Sequence, residues 1–166
     1  MQRKLSIIVA RSQNNAIGLA GSIPWICPED MRYFKEKTSG HICLAGFNTY
    51  KTLPEDGLPN RLLYVLTQKP LANRQKVFFI KSLDEFWNAP FCGTASSGIN
   101  SDEVFCIGGL SLYTSCLPFV SKIYLTEIKK LCNGDTFFTN NFLIGFNSKI
   151  LHETEKCIYY VYERMH

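Results

Sequence analysis

The chain lacks any C-x-x-C pair, and its seven cysteines are an odd number, so it carries neither a paired-thiol zinc site nor a closed disulfide framework. Cys43, Cys106 and Cys157 sit in or beside apolar runs, where a reduced thiol behaves as a small hydrophobe; this points to a reducing, cytoplasmic setting. No segment is apolar over a length that could span a bilayer, which argues against a membrane partner. The N-terminal run Leu5 to Ala10 is also too short for a signal peptide and ends at Arg11, so it reads as a buried first strand. A dense run of one charge is missing as well. The 18 basic and 14 acidic residues are scattered, as at Arg3-Lys4, Lys35-Lys37 and Lys129-Lys130, which argues against a nucleic-acid face and suits a small anionic ligand. The three histidines (41, 152, 166) show no metal-ligand spacing, and no Ser–His–Asp or Cys–His arrangement is legible.

What is present is a globular composition, 46% hydrophobic and 19% charged, in which short β-rich runs alternate with helical patterns. Strands are expected at 4–10, 41–45, 61–67, 76–80, 103–107 and 121–128, with two more around 149–154 and 156–164. Helices are expected at 28–37, with Pro28 in the first turn, at 49–53 stopped by Pro54, at 82–89 capped by Ser82 and Glu85, and at 110–116 ended before Pro118. "GTASSGIN" (93–100) reads as a flexible surface insertion. The order implies an α/β fold: a single domain, residues 1–166, with a mostly parallel central sheet of about eight strands, an antiparallel C-terminal edge and about four flanking helices. A ligand is then expected across the carboxyl ends of the strands.

Four features carry chemistry. In "CIGGLSLY" a buried strand runs into Gly108-Gly109 and a helix, which permits close approach of a ligand, or simply a tight turn. In "IPWICPEDMRYFKEKT" two acids open a helix, where each offsets the helix dipole by about 0.3–1 kcal/mol. Asp30, however, shares a face with Cys27, Met31 and Phe34, whereas Glu29 points off it and reads as an exposed first-turn acid. A charge on an apolar face needs a partner. Beside Trp25 and Phe34, Asp30 suits a flat, cationic or amidine-like ligand. Thr126, a hydroxyl in an apolar strand, could hold that carboxylate, and Arg61 could fork onto a ligand carboxylate; taken singly, strand propensity and a solvated strand end explain them better.

Taken together and in order, "AIGLAGSIPW…PEDMRYFK", "GFNTYKTLP…LPNRLLYVLT", "FCIGGLSLY", "KIYLTEI" and "NGDTFF" resemble dihydrofolate reductase over nearly the whole chain. The insertion at 93–100 is the main part that does not align. The resemblance implies hydride transfer from NADPH to C6 of 7,8-dihydrofolate, with protonation at N5, giving tetrahydrofolate. Asp30 matches the pocket carboxylate that holds the pterin, with Trp25 and Thr126 around it. Ile8, Val9, Met31, Phe34, Leu53 and Leu58 match the substrate walls, and Arg61 matches the grip on the substrate's α-carboxylate. Ala10, Ile17, Gly18, Ile107, Gly108 and Gly109 match the nicotinamide surroundings, with the Gly-Gly bond cis in the family. Gly46, Phe47, Asn48 and Thr49, then Leu66, Thr67 and Gln68, then Leu110, Ser111, Leu112 and Tyr113 match the rest of the cofactor path. The segment 14–27 matches a mobile loop that closes over the nicotinamide, and Asp135 a residue that secures it.

One departure stands out. Phe47 and Asn48 replace a common basic pair at the adenosine 2′-phosphate, Thr67-Gln68 follow, and Ser111 stands where many bacterial members have Arg. Loss of charge-assisted bonds worth about 1.5–3 kcal/mol each would weaken the preference for NADPH and admit NADH, unless Thr67, Lys69 or Arg74 compensates. The resemblance further implies dihydrofolate, folate and antifolates as ligands, a monomer, and no fused thymidylate synthase. The alternatives are a non-catalytic folate- or nucleotide-binding relative, and a pyrimidine-pathway reductase, which is not expected to pair Trp25 with an inward Asp30.

Overall fold

The computed structural model describes residues 3–89 and 98–166. Its centre is β1 (Lys4–Ser12), whose sequence KLSIIVARS is buried on both faces, as expected of a strand inside a parallel sheet. Outward from it on one side lie β6 (Asn100–Gly108), β3 (His41–Gly46), β4 (Leu62–Leu66) and β5 (Val77–Ile80). On the other side lie β7 (Val120–Ile128), β10 (Cys157–Arg164) and β9 (Phe146–Glu153). All pairs from β5 to β7 are parallel; β7–β10 and β10–β9 are antiparallel. The eight-stranded, mostly parallel sheet with its antiparallel C-terminal edge is the architecture expected from the sequence.

Strand alternation sorts the core into two faces. Ile8, Ala45, Val65, Phe105 and Tyr124 point to one side, where α1 (Pro28–Thr38) and α2 (Phe47–Tyr50) add Phe34 and Phe47. Leu5, Ile7, Val9, Leu44, Cys106 and Leu125 point to the other, met by α3 (Leu83–Asn88) through Phe86 and α4 (Leu110–Cys116) through Leu112 and Tyr113. No helix among the described residues is long and apolar enough to cross a membrane.

Several boundaries differ from the sequence reading. The helix expected at 49–53 is a single turn starting at Phe47, directly on the end of β3; Thr52 and Leu53 then close a turn on the carbonyls of Thr49 and Tyr50 before Pro54 is reached. The helix expected at 110–116 does end at Cys116, before Pro118, and a 3-10 turn, Leu117–Phe119, follows it without needing the proline N–H. Of the 93–100 segment, 93–97 lie outside the described residues; Ile99 is buried in the core and Asn100 already belongs to β6, so its end is not a surface insertion. The long loop after β1 contains an unforeseen strand, β2 (Ala16–Gly18), paired with β8 (Thr136–Phe137). That approach is so close that a Cβ on Gly134 would lie 2.6 Å from the Cβ of Ala16. Ser82 caps α3 as expected, but Glu85 reaches back to the Lys81 N–H and not to Ser82's own.

The cysteines among the described residues are all free, and Cys43, Cys106 and Cys157 are fully buried, as their apolar context implied. Phe86 is fully buried and packs edge-on against Tyr64 and Trp87. Phe86→Ala is expected to cost ~3–5 kcal/mol, read as a lower urea midpoint with an unchanged slope.

Candidate active site

Because β1, β3, β4, β6 and β7 are mutually parallel, their carboxyl ends lie along one edge of the sheet. That edge gathers most of the residues singled out from the sequence. On the α1 face, Ile8 shares an apolar cluster with Phe34, Phe47, Leu53 and Ile107. Ala10 stands opposite Thr126 in the β1–β7 register, and Thr126, 2% exposed, stands opposite Tyr159 in the β7–β10 register.

Asp30 lies in the first turn of α1, over this part of the sheet. Burial pushes its carboxyl pKa up to about 6; the Thr126 hydroxyl works the other way by bonding the charged form, and the neighbouring Glu29 charge adds to the rise. The acid is therefore poised near neutrality, as a group that must exchange or share a proton should be. Trp25 packs with Cys27, Tyr33 and Tyr159 beside it. Met31, expected to share an apolar face with Asp30, is instead 67% exposed and joins none of the apolar clusters.

Arg61 is 3% exposed, which excludes the solvated strand-end alternative. Its Nε donates to the Pro59 carbonyl at 2.9 Å and its Nη1 to Thr38 Oγ1 at 3.0 Å, while the guanidinium lies 6.0 Å from the Phe34 ring centroid. Thr38 in turn donates to the Phe34 carbonyl, so the last turn of α1 fixes the arginine. Burial lowers the Arg61 pKa, which leaves a desolvated cation that gains from an anionic partner. Leu58 is buried nearby in sequence, and Leu53 completes the apolar wall.

Two sequence expectations about side chains are corrected here. Val9 follows Ile8 on the strand and so points to the opposite face, into the core with Leu5 and Ile7. Leu112 is likewise turned into the core beneath α4. Only their backbone is left to meet a ligand. Tyr113 is also buried, and its hydroxyl donates to the Ile8 carbonyl at 2.9 Å, tying α4 to the end of β1.

The Gly108–Gly109 peptide is cis. Gly108 has φ +115°, and a Cβ there would lie 3.0 Å from the Tyr113 hydroxyl oxygen, so no other residue suits the position. A Cβ on Gly46 would face the Gly108 carbonyl at 3.6 Å, and one on Gly109 the Thr49 hydroxyl at 3.6 Å. The ends of β3 and β6 are thus bare backbone, side by side, each opening into a helix: a cradle whose free N–H groups suit a phosphate-bearing cofactor. Ile17 packs on the core below and Gly18 lies against Thr136. Asp135 Oδ2 accepts the Ala20 N–H at 2.9 Å, and its N–H donates to the Gly18 carbonyl, so it holds the loop that contains Ile17 and Gly18.

Farther along the edge, Leu66 packs on the core, Thr67 is buried and its hydroxyl accepts the Lys69 N–H; Gln68 is spent on the Lys81 carbonyl. Asn48 and Ser111 are exposed. Two cations converge on Phe47: the Lys69 ammonium lies 4.3 Å from its ring centroid and the Lys51 ammonium 5.6 Å. Arg74 is bound instead to Glu55 and Asp56. Sequence reading named Thr67, Lys69 and Arg74 as candidates and missed Lys51, although its i+4 spacing from Phe47 across the single turn of α2 is a local signal; only the Lys69 contact comes from a separate loop.

Glu29 also departs from expectation. It is half-buried, and one carboxylate oxygen accepts from the Tyr159 hydroxyl at 2.6 Å and the Thr154 hydroxyl at 2.7 Å. Both partners lie more than a hundred residues away, beyond the reach of periodicity.

The sequence profile described as dihydrofolate reductase matches residues 4–161. The dihydrofolate reductase of Buchnera aphidicola subsp. Baizongia pistaciae is 36% identical over 162 residues, covering 95% of this chain and 93% of its own. That of Bacillus subtilis is 34% identical over 134 residues, covering 81% and 74%. The structure of dihydrofolate reductase from Enterococcus faecalis complexed with NADP(H) and RAB-propyl superposes with a TM-score of 0.78 at 27% identity, covering 97% of this chain and 96% of that one. With the sheet order, the buried acid on α1 and the glycine cradle already in place, these matches show that the chain belongs to the dihydrofolate reductase family.

Proposed function

We propose that this chain reduces 7,8-dihydrofolate to tetrahydrofolate with NADPH, as a single-domain monomer in the cytoplasm. The observation that carries the reading is one desolvated carboxylate, Asp30, set between Thr126 and the apolar wall of Ile8, Phe34 and Leu53, with the buried Arg61 cation at the far end of the same helix. The two ends of α1 thus offer an acceptor for the donor edge of a flat heterocycle and a fork for a carboxylate, and a substrate bearing both is held in one orientation. When bound in the Gly46–Gly108 cradle, NADPH would supply the hydride for C6.

The chain's own residues do the rest. The acid's raised pKa lets it favour the N5-protonated substrate, directly or through a water near Trp25. The apolar wall keeps bulk solvent from the acceptor carbon. The Ala16–Gly18 strand and the Asp135–Ala20 bond position the loop over that space. At the distal end of the cofactor path, Lys69 and Lys51 on Phe47 supply the positive charge that a basic pair at 47 and 48 would carry. These two cations support a phosphate-bearing cofactor, NADPH, at a site that the sequence leaves without a basic pair at 47 and 48.

Asp30→Asn is expected to lower kcat/KM at pH 7 by about 100-fold or more, recovering in part at low pH, where the substrate carries its own proton. A variant retaining wild-type activity across pH would remove Asp30 from the mechanism. The same change should stabilise the free protein. The folded-state pKa of about 6 lies above the ordinary value of 3.8, so the folded state binds the extra proton. Stability falls as pH rises through that window, and the cost, ~3 kcal/mol at most, is complete above it. Urea unfolding should show Asp30→Asn to be the more stable protein at pH 7, with the gap closing near pH 4.

Lys69→Ala should cut the kcat/KM ratio of NADPH to NADH about tenfold, the size of one charge-assisted phosphate bond, and weaken binding of 2′,5′-ADP while leaving 5′-AMP unchanged. Equal use of both cofactors by the unaltered enzyme would count against the lysine site.

A further inference from the structure

Adjacent acids on α1 reach adjacent strands. Asp30 meets Thr126 on β7, and Glu29 meets Tyr159 on β10, and these two strand residues stand opposite one another in the β7–β10 ladder. The same Glu29 oxygen takes a second hydroxyl from Thr154 in the β9–β10 turn, which is itself held by the N–H groups of Cys157 and Lys156. One turn along the helix, the Tyr33 ring packs on the Tyr159 ring with centroids 4.4 Å apart. Cys27, at the helix start, brings its sulfur to 3.7 Å from that of Cys157 on β10. The first turn of α1 is therefore fixed laterally by β10 at several points, all on the side away from the substrate wall.

We infer that Glu29 is a positioning residue for the reaction: bonded to Tyr159 and Thr154, it fixes the azimuth of the first helical turn so that the next residue, Asp30, faces Thr126 and the substrate. The inference rests on the proposed reductase function. Helix geometry gives the reason. A one-residue step turns a side chain by about 100°, so one acid anchored to β10 sets the direction of the next. A helix docked only through its apolar stripe can roll by a few degrees, and an offset of about 1 Å at a catalytic group can lower a rate about a hundredfold.

Glu29 also places a negative charge beside Asp30. Among the described residues, the other titratable or polar groups near the pair are Tyr33 on α1, Thr126 on β7, Tyr113 on α4, Cys157 and Tyr159 on β10, and Thr154 and Lys156 in the hairpin turn. Only Glu29 among them is a second carboxylate. Hydrogen bonds from Tyr159 and Thr154 hold the Glu29 pKa below its usual value, so its charge persists across the range in which Asp30 titrates.

The test uses Glu29→Gln and Glu29→Ala in the full chain, with two readouts: the pH dependence of single-turnover hydride transfer, and the 13C titration of the Asp30 carboxyl in the free protein. Glu29→Gln keeps an acceptor for Tyr159 and loses the charge. Its Asp30 midpoint should fall by about half a pH unit, with the hydride rate at low pH within about twofold of the parent. Glu29→Ala loses acceptor and charge; its midpoint should fall similarly and its hydride rate should drop about tenfold at every pH. A Glu29→Ala protein that is less stable yet keeps the parent's rate and midpoint would reduce Glu29 to a structural staple and overturn the inference. If that variant does not fold, Tyr159→Phe, which removes one anchor of Glu29 and keeps its charge, carries the test: an unchanged hydride rate at every pH overturns the inference equally. Failure of the unaltered chain to oxidise NADPH with dihydrofolate would refute the proposed function instead, and the free-protein titration would still report on the Glu29–Asp30 coupling.

Discussion

The constraint on which the site depends is the burial of one carboxylate. A charge of this kind is expensive on the apolar face of a helix, and in this fold it is tolerated because Thr126 bonds it from the sheet and because its pKa rises to meet the working range. The cost of keeping Asp30 ionised without a ligand is what a cationic or protonated ligand relieves. Stability is thus given up at the position that the proposed function assigns to the substrate.

Everything around that acid serves to aim it. The parallel strands bring Ile8, Ala10, Gly46, Gly108 and Thr126 to one edge, so residues far apart in the chain share a cleft. The helix over that edge is held at its start by Glu29, Tyr33 and Cys27 against β10, and near its end by Thr38 against Arg61. The antiparallel C-terminal hairpin is therefore a support for α1 and not merely a closure of the sheet. Tyr113 adds a further tie by bonding the Ile8 carbonyl from the opposite face.

The residues that sequence reading located well are those whose physics is local. Alternating apolar runs gave the strands, Pro28 and Ser82 gave two helix starts, and Gly108-Gly109 gave the strand-to-helix junction. Asp30 could be told from Glu29 by helical phase. The errors share a cause. Val9 and Ile8 look alike in an apolar run, and only pairing on both sides of β1 decides which face each takes. Pro54 looked like a helix stop, yet the chain had turned before it was reached.

By itself the sequence determined the α/β class, the mostly parallel sheet and the strand-to-helix junction at Gly108-Gly109, and it singled out Asp30, Thr126 and Arg61 as candidates, because periodicity, capping and backbone demands act over a few residues. Tertiary structure alone decided how those residues are held and charged. Thr154 and Tyr159 reach Glu29 from 125 and 130 positions away, and Lys69 reaches Phe47 from another loop. Burial, not residue type, moves Asp30 and Arg61 from ordinary surface charges to groups poised for a ligand. Charge placement and desolvation are properties of packed neighbours, and the neighbours are set by the fold.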